Sequence, residues 1–493
     1  MHPHVTALDL VVLACYFVAT MAVGVAVTRR SRSVEGFTAA GRSLPGWLTG
    51  LSILGTYVSS ITFLALPAKA FAGNWNPFVF SLSIPLATWI AARWFVPFYR
   101  HSAHVSAYQH LEQRFGPWAR GYASLCYLLT QLARMGTVMY LMALPLSALL
   151  GWDVSAVILA TGVSVTIYAL VGGLVAVIYA DAFQTVVLMA GAILCAVLAV
   201  AGLPEGPAQL FRLAAADDKF SLGSWGAGLG EPTVWVVLLY GLVINLQNFG
   251  IDQNYVQRYI ASRSDAEATK SVWLGGLTYV PLSAAFLFIG TALFAFYSTN
   301  PGALPANLAD PARADWVFPW YIVTVLPPGV SGLLIAAIFA AAMSTISTSL
   351  NSSATILLSD YYQRYVNPTA SERRAVAVLR LTTIVWGLAG TSAALAMTRV
   401  RSALDAWWTL AGIFGGGMLG LFLLGFASRR AGSRGALAGV GVGVVLTLWM
   451  TVSPRWGALP AILRSPFHEF LVIVFGTAAV LAVGWALSRK ADS

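Results

Sequence analysis

A run of small hydroxyl-bearing residues interrupts an apolar segment of this sequence. The segment VSGLLIAAIFA, which starts at Val330, is apolar enough to cross a bilayer, yet it leads into AAAMSTISTSLNSS, residues 340–353, with seven hydroxyl side chains. Positions i, i+3 and i+4 share one face of a helix, and hydroxyl and carbonyl oxygens suit a hard cation such as sodium. The spacing favours an ion site over mere close packing with hydroxyls bonded back to the preceding turn. The residues that meet this spacing are Ala341, Ser344, Thr345, Ser347 and Thr348.

A second apolar segment, PGWLTGLSILGTYVSSITFLALPAK, also contains small polar residues at its centre. Weak helix formers at this depth predict that the helix unwinds locally. Unwound backbone inside a membrane persists only where it lines a cavity or binds something. Small polar residues that simply allow close helix packing are the alternative explanation. The residues that interrupt the segment are Gly55, Thr56, Ser59, Ser60 and Thr62, and Pro67 follows them.

Two ionisable residues lie within apolar runs, where charged groups are costly and mark function by default. Arg134, in LLTQLARMGTVMYL, lies at the centre of its run, and Asp181, in VIYADAFQTVVLMAG, lies near the start of another. Arg134 offers a planar donor fork for a carboxylate, although it can instead pair with a buried acid or with helix carbonyls. Asp181 can contribute to a cation site or carry a proton.

The composition identifies the elements that must position these residues. Of 493 residues, 58% are hydrophobic and 10% are charged, and the mean hydropathy is +0.75. Soluble domains carry about 25% charged residues, and apolar runs long enough to span a hydrocarbon core recur along the whole chain. The net charge of +10 is explained by basic residues in cytoplasmic loops rather than by an anionic partner. The sequence therefore predicts an all-α polytopic membrane protein.

The apolar runs predict thirteen transmembrane helices, so that the two termini lie on opposite sides of the membrane. Placing the N-terminus outside and the C-terminus inside puts most loop arginines and lysines, Arg120 and Arg258 among them, in the cytoplasm. The ninth span is too long for one crossing and is expected to include an outer hairpin segment. The predicted spans are 8–27, 46–71, 77–98, 121–149, 154–173, 177–201, 233–250, 271–297, 321–358, 375–398, 404–427, 434–453 and 468–488.

Other function classes lack the sequence features that they need. We find no repeated filter loop or charged ring of a channel, and no HExxH motif, dyad of buried acids or nucleophile elbow of an enzyme. No phosphate-binding loop for ATP is present, which favours coupling to an ion gradient, and the many hydroxyls favour sodium over protons. We expect no organic cofactor, no nucleic acid and no obligatory protein partner. The expected location of this multi-pass protein is an inner membrane of bacterial type.

Five motifs in order resemble the sodium/solute symporters, to which sodium/glucose, sodium/proline and bacterial sialic acid transporters belong. The sialic acid transporters look nearest. The resemblance covers nearly the whole chain and implies a single transport domain with the LeuT-type fold of two inverted five-helix repeats, 46–201 and 233–427. An extra helix, 8–27, precedes the repeats and two helices, 434–488, follow them. The motifs are SSITFLALPAKAF, YALVGGLVAVIYADAFQ, NFGIDQNYVQRY, AAIFAAAMSTISTSLNSS and GGGMLGLFLLGFASRRA.

The same resemblance implies where sodium binds. Family members share one sodium site between the broken helix and the serine-rich helix, and some have a second site built from an aspartate and the next turn of serines. Two sodium ions per solute are therefore expected. The matching residues of the shared site are the carbonyls of Gly55, Val58 and Ala341 with the hydroxyls of Ser344 and Thr345. The matching residues of the second site are Asp181, Ser344, Ser347 and Thr348.

The resemblance also implies a solute pocket, in which the arginine that matches Arg134 binds a carboxylate. This sequence departs from the sialic acid transporters because Tyr57 replaces a smaller hydroxyl residue, Pro77 an aromatic and Ser81 a glutamine. The expected function is sodium-coupled import of a small polar solute by alternating access, with a carboxylate such as sialic acid favoured. A neutral sugar, polyol or amino acid is the alternative, and a passive channel is the alternative from another class. The expected solute residues are Thr56, Tyr57, Ser59, Thr62, Pro77, Ser81, Arg134, Asn245, Gln247 and Asn248.

Overall fold

Long apolar helices make up most of the structure. The computed structural model describes residues 6–27, 33–102, 105–399, 403–428 and 430–489, and within these ranges the β pairing is a single bridge between Leu44 and Ser262. The first helices are α1 (Ala7–Val27), α2 (Val34–Ala39), α3 (Gly46–Tyr57), α4 (Ser60–Ala72), α5 (Phe78–Leu82), α6 (Ile84–Ile90), α7 (Val96–His101), α8 (Gln109–Phe115), α9 (Pro117–Leu150), α10 (Val154–Ala201) and α11 (Pro207–Ala216). The remaining helices are α12 (Val234–Ile251), α13 (Gln253–Ala261), α14 (Asp265–Thr299), α15 (Val317–Thr324), α16 (Val330–Ile356), α17 (Glu372–Met397), α18 (Ala403–Gly415), α19 (Met418–Ala427), α20 (Ser433–Val452) and α21 (Leu471–Arg489).

The helices agree with the predicted spans in type and approximate position. Among the helices of the described residues, ten are long and apolar enough to cross a membrane, and the count is eleven if the bent pair α3 and α4 forms one span. The count of thirteen and the sides of the termini stay predictions. Some of the basic residues used for the orientation lie outside the described residues, namely Arg29, Arg30, Arg32, Arg401, Arg429 and Lys490.

Two predicted spans, 154–173 and 177–201, are joined in the long helix α10. The helix is interrupted at Gly173, whose φ of 53° and ψ of −162° are not helical. Glycine suits this position because L-residues rarely adopt a positive φ, and an added Cβ would lie 2.8 Å from the Phe37 ring. The Tyr168 hydroxyl donates to the Ala176 carbonyl at 2.7 Å across the interruption. The break therefore separates two helical halves that stay tied together.

Helix α16, which carries the hydroxyl run, lies at the centre of the bundle. It has the largest buried share of the ten candidate spans and packs against α1, α3, α9, α10 and α17. The long ninth predicted span divides as expected, because α15 and α16 are separate helices. A helix surrounded on all sides shows no lipid-facing surface, so its hydroxyls face protein.

Ion pairs join the start of α9 to the segment that follows α16. Arg120, 7% exposed, donates to Asp360 at 2.6 Å and to Glu112 at 2.8 Å, and Arg364 also pairs with Glu112. Partial burial raises the pKa of Glu112, but hydrogen bonds from both arginines hold it below its usual value. Ser106 donates to Asp360 at 2.8 Å. Arg120 therefore forms a buried structural contact and is not a free loop charge.

We predict that Asp360→Asn destabilises the protein by about 2 kcal/mol, because the buried Arg120 then keeps only Glu112, which it shares with Arg364, as a counter-charge. The measurement is the thermal unfolding midpoint of purified protein in detergent. Glu205→Gln is the matched control: it breaks an ion pair with Arg212 in which both side chains are more than half exposed, and such pairs contribute under about 1 kcal/mol. Equal shifts for the two variants would contradict the structural role of Asp360.

Candidate functional site

The predicted unwinding of the second span is confirmed. Helix α3 ends at Tyr57 and α4 begins at Ser60, and the two helices are bent by 57°. Val58 and Ser59 between them have extended backbones, with ψ of 109° and 174°. A break of this kind frees backbone carbonyls that would otherwise bond within the helix. These carbonyls need partners from neighbouring elements.

The hydroxyl run of α16 supplies one of these partners. The Ser344 hydroxyl donates to the Gly55 carbonyl at 2.8 Å, and it lies 3.3 Å from the Ala341 carbonyl. The Thr345 hydroxyl donates to the same Ala341 carbonyl at 3.1 Å. Four of the five residues predicted for the shared sodium site are thus in contact, and the fifth, Val58, follows the last residue of α3, about one turn after Gly55. The back-bonding of Thr345 is also the pattern that the packing alternative predicts.

Gly55 allows α3 to approach α10 closely. A Cβ atom at this position would overlap the Thr185 hydroxyl and would lie 3.2 Å from the Asp181 carbonyl. The Thr185 hydroxyl in turn lies 3.0 Å from the Leu51 carbonyl. The missing side chain therefore brings the broken helix against the turn of α10 that carries Asp181.

Asp181 is fully buried between α3, α10, α13 and α16. Its Oδ2 atom accepts hydrogen bonds from Ser52 at 2.8 Å, from Arg258 at 2.9 Å and from Thr348 at 3.2 Å. Its Oδ1 atom has no hydrogen-bond partner among the described residues. A buried carboxylate oxygen without a partner is costly. Oδ1 is therefore able to accept a further hydrogen bond or a cation in the interior of the bundle.

The assignment of Arg258 to a cytoplasmic loop is wrong. Arg258 lies on α13 with none of its surface exposed. A buried guanidinium needs a counter-charge, and Asp181 provides it. Its remaining donors bond to the Ser52 and Thr348 hydroxyls and to the Asn254 carbonyl. The predicted span ended at residue 250 and so left out α13. The aromatic and apolar residues repeated four positions apart, at 255 and 259 and at 256 and 260, were the signal for this helix.

The structure brings together half of the residues predicted for the second sodium site. Asp181 and Thr348 are in direct contact. Ser344 bonds instead to Gly55, and the Ser347 hydroxyl bonds to the Ser344 carbonyl at 3.2 Å. Neither serine forms a hydrogen bond to Asp181 in the described chain.

A cavity of about 580 Å³ begins at the break between α3 and α4. It extends past Arg134 to Asn74, Pro232 and His468, which lie outside the candidate spans. Partial burial lowers the pKa of His468. The predicted solute residues that line the cavity are Tyr57, Ser59, Thr62, Pro77, Arg134, Gln247 and Asn248.

The other three predicted solute residues, Thr56, Ser81 and Asn245, are buried and do not line this cavity. The Thr56 hydroxyl donates to the Ser52 carbonyl at 2.8 Å. Asn245 accepts a hydrogen bond from the Tyr57 hydroxyl and donates to Ser83 at 3.0 Å. Asn245 therefore orients Tyr57, which lines the cavity.

Arg134 is held against the broken helix. Its guanidinium donates to the Thr56 carbonyl at 2.8 Å. No carboxylate oxygen of the described residues lies within 4.0 Å of it. The expected alternative of a bond to a helix carbonyl is thus present, and donors remain for a ligand because arginine has five.

Sequence reasoning missed Asp252, which also lines the cavity and is 8% exposed. It lies between α12 and α13, where its Oδ1 atom accepts the backbone N–H of Asn254 at 2.8 Å. An aspartate that ends an apolar run and is followed by polar residues is a typical N-cap, and this was the available signal. Gln131 and Tyr255 complete this part of the wall.

Known proteins resemble the chain over almost its entire length. The sodium/sialic acid symporter NanT of Aliivibrio fischeri is 34% identical over 483 residues, which cover 97% of this chain and 92% of NanT. The sodium/sialic acid symporter SiaT of Proteus mirabilis is 33% identical over 477 residues, which cover 96% and 93%. The structure of a Na⁺-coupled sialic acid symporter in a substrate-bound outward-open state, which revealed a novel Na⁺ site, has a TM-score of 0.91 at 31% identity and covers 98% of both chains.

The sequence profile of one family matches residues 37–443, which contain the broken helix, Asp181, Arg134, Arg258 and the hydroxyl run. This match and the similarity over the whole chain agree with the broken helix and the buried hydroxyls that face it. The chain belongs to the sodium:solute symporter family.

Proposed function

We propose that this protein imports a small polar carboxylate, such as a sialic acid, together with sodium ions. The chain is a sodium-coupled symporter that works by alternating access. The observation that carries the choice of solute is Arg134, whose guanidinium lines a cavity of about 580 Å³ at the helix break. A planar donor fork on a cavity wall suits a carboxylate. The two relatives named above are sialic acid symporters, which agrees with this choice.

The shared sodium site is proposed between α3 and α16. Its ligands are the carbonyls of Gly55, Val58 and Ala341 and the hydroxyls of Ser344 and Thr345. The proposal is supported by the contact of Ser344 with Gly55 and of Thr345 with Ala341. Hydroxyl and carbonyl oxygens that already point toward one another can turn to a hard cation with little movement.

Solute and sodium are coupled through the helix break. Gly55 and Thr56 are adjacent, and their carbonyls accept hydrogen bonds from opposite partners, Ser344 and Arg134. Sodium that binds beside Gly55 competes for the Ser344 hydroxyl, and a carboxylate on Arg134 competes for its donors. Each ligand therefore changes the backbone that the other one uses, which is the physical requirement for a coupling free energy.

A second sodium ion is proposed beside Asp181, with Ser344, Ser347 and Thr348. The free Oδ1 atom supports this proposal, although Arg258 already neutralises the carboxylate through Oδ2. Each positive charge that moves inward gains about 2.3 kcal/mol per 100 mV, so a second ion would double that gain for a neutral solute. A proton on Asp181 is the alternative.

The proposed topology has thirteen spans, with the N-terminus outside and the C-terminus inside an inner membrane of bacterial type. Residues 46–201 and 233–427 form the inverted repeats of the LeuT-type fold. Asn74 and Pro232 then belong to external loops and His468 lies at the outer end of the last span, so the cavity opens outward. The ion pairs of Arg120 lie on the cytoplasmic side of this arrangement, at the end opposite the cavity.

A neutral sugar, polyol or amino acid is the second candidate solute. It is favoured by Gln247 and Asn248, which line the cavity and can hydrogen-bond hydroxyl groups. Uptake into proteoliposomes under a sodium gradient tests the carboxylate against the neutral sugar and polyol, with N-acetylneuraminate, glucose and inositol as the first solutes. Sodium-driven uptake of N-acetylneuraminate supports the main proposal, and uptake of only the neutral solutes would overturn it.

We predict that Ser344→Ala raises the sodium concentration for half-maximal uptake roughly tenfold, a loss of about 1.4 kcal/mol, because one ligand of the shared site is removed. Ser331→Ala is the matched control in the same helix. The Ser331 hydroxyl donates to the Ile322 carbonyl, and Ser331 lies roughly 20 Å from Ser344 along α16 at 1.5 Å per residue. Unchanged sodium dependence in a correctly inserted Ser344→Ala protein would remove the shared-site assignment.

We predict that Arg134→Lys weakens binding of N-acetylneuraminate at least tenfold while sodium binding is retained, because lysine keeps the charge but loses the fork. Sodium-dependent thermal stabilisation of the purified protein, titrated with each ligand, measures both effects. A variant that loses sodium and solute binding equally would assign Arg134 to the helix break alone.

We predict that Arg258→Met destabilises the sodium-free protein by about 3–5 kcal/mol, because Asp181 is left as an unpaired buried charge. Asp181→Asn is expected to have a similar effect, and the double variant is expected to recover most of the loss, as measured by a double-mutant cycle of unfolding midpoints. Additive losses in the double variant would show that the pair does not act as a unit.

A further inference from the structure

We infer that Asp252 makes the cavity selective for acids that also carry hydrogen-bond donors, such as hydroxylated or amino carboxylates, over plain aliphatic carboxylates. The inference rests on the proposed function, since it concerns the solute of the same cavity. It adds an acidic partner for the solute opposite the basic one that Arg134 provides.

The backbone fixes the position of Asp252 in the cavity wall. The residue lies between α12 and α13 with an extended backbone, φ −76° and ψ 124°. Its Oδ1 atom caps α13 through the N–H of Asn254, and its carbonyl accepts the N–H groups of Tyr255 and Val256 at 3.0 and 3.1 Å. The carboxylate is thus held in place by the helix that it starts.

The carboxylate keeps much of its capacity to accept hydrogen bonds. Among the described residues, the backbone N–H of Asn254 donates the hydrogen bond that it accepts, whereas an ionised carboxylate offers about four acceptor sites. Arg134 and Arg258 attract it electrostatically, but no basic nitrogen of the described residues lies within 4.0 Å of it. The charge of Asp252 is balanced at a distance and not by a contact ion pair.

The surroundings of Asp252 leave the solute as its available partner. Tyr57, Tyr255 and Tyr279 line the same part of the cavity, with the Tyr57 and Tyr279 rings 4.3 Å apart. The cavity wall also contains Lys69, Arg134 and Glu469, but Lys69 lies at the end of α4 and Glu469 just before α21. Asp252 and Arg134 are therefore the opposite charges of the inner part.

A solute with its carboxylate on Arg134 places the rest of its atoms in this inner part. If those atoms include hydroxyl, amide or ammonium donors, they replace the water that solvates Asp252. An aliphatic chain removes the same water and returns no hydrogen bond. The unsatisfied Asp252 carboxylate then costs more than the roughly 1–3 kcal/mol that is typical of a buried neutral group without a partner. This penalty is the physical basis of the selectivity, because a missing polar partner discriminates more strongly than an extra methylene.

The test compares two acids that share a carboxylate and differ in donors: N-acetylneuraminate and hexanoate. Each is titrated as a competitor of sodium-driven N-acetylneuraminate uptake in proteoliposomes. We expect the parent protein to prefer N-acetylneuraminate at least 100-fold. Asp252→Asn is expected to weaken N-acetylneuraminate at least tenfold and to leave hexanoate unchanged or improved, which lowers the ratio at least tenfold. Asp217→Asn, which removes an exposed acid, is the matched control and is expected to keep the parent ratio.

The outcomes separate this inference from the proposed function. Sodium-driven uptake by the parent protein with no preference between the acids would overturn the inference and leave the symport of a carboxylate intact. An Asp252→Asn protein that loses affinity for both acids equally would also overturn it, since that result assigns Asp252 to the start of α13 alone. A parent protein without sodium-driven uptake of either acid would overturn the proposed function and this inference with it. The parent ratio needs no variant, so a misfolded Asp252→Asn protein does not prevent the test.

Discussion

Backbone carbonyls that are released inside a membrane need partners, and this requirement organises the centre of the protein. The break after Tyr57 exposes carbonyls at a depth where water is scarce. Ser344 of α16 bonds to one of them and Arg134 of α9 bonds to the next. The elements that satisfy the break are therefore those that contribute the proposed ligands of sodium and of the solute.

The buried ion pair of Asp181 and Arg258 is the second interaction that holds the central helices together. It joins α10 to α13, and the hydroxyls of Ser52 and Thr348 add α3 and α16 to the same network. Since a buried charge without a partner is strongly destabilising, these four helices are constrained to one relative arrangement. The pair and the helix break meet at Gly55, where α3 packs closely against α10.

The sequence alone predicted an all-helical membrane protein, the approximate positions of most spans and the break in the second span. The hydroxyl spacing of α16 and the weak helix formers around Val58 are local patterns, whereas the contact between the two helices was implied by the family resemblance. The structure shows this contact between Ser344 and Gly55. Arg258 was assigned to a loop and Asp252 was missed, because both residues lie past the end of an apolar run, where the polar composition predicts a loop. Their burial depends on α13 folding back into the bundle, which is a tertiary fact. The joining of two predicted spans across Gly173 depends in the same way on a close neighbour, Phe37.

Arg258 has a further consequence for the electrical side of the cycle. With no sodium bound, Asp181 and Arg258 together carry no net charge, so the guanidinium acts as a tethered counter-ion. Because the two charges cancel, the pair adds no net charge on which the membrane potential can act. In the proposed cycle, this pair therefore contributes no charge of its own to the return of the empty carrier.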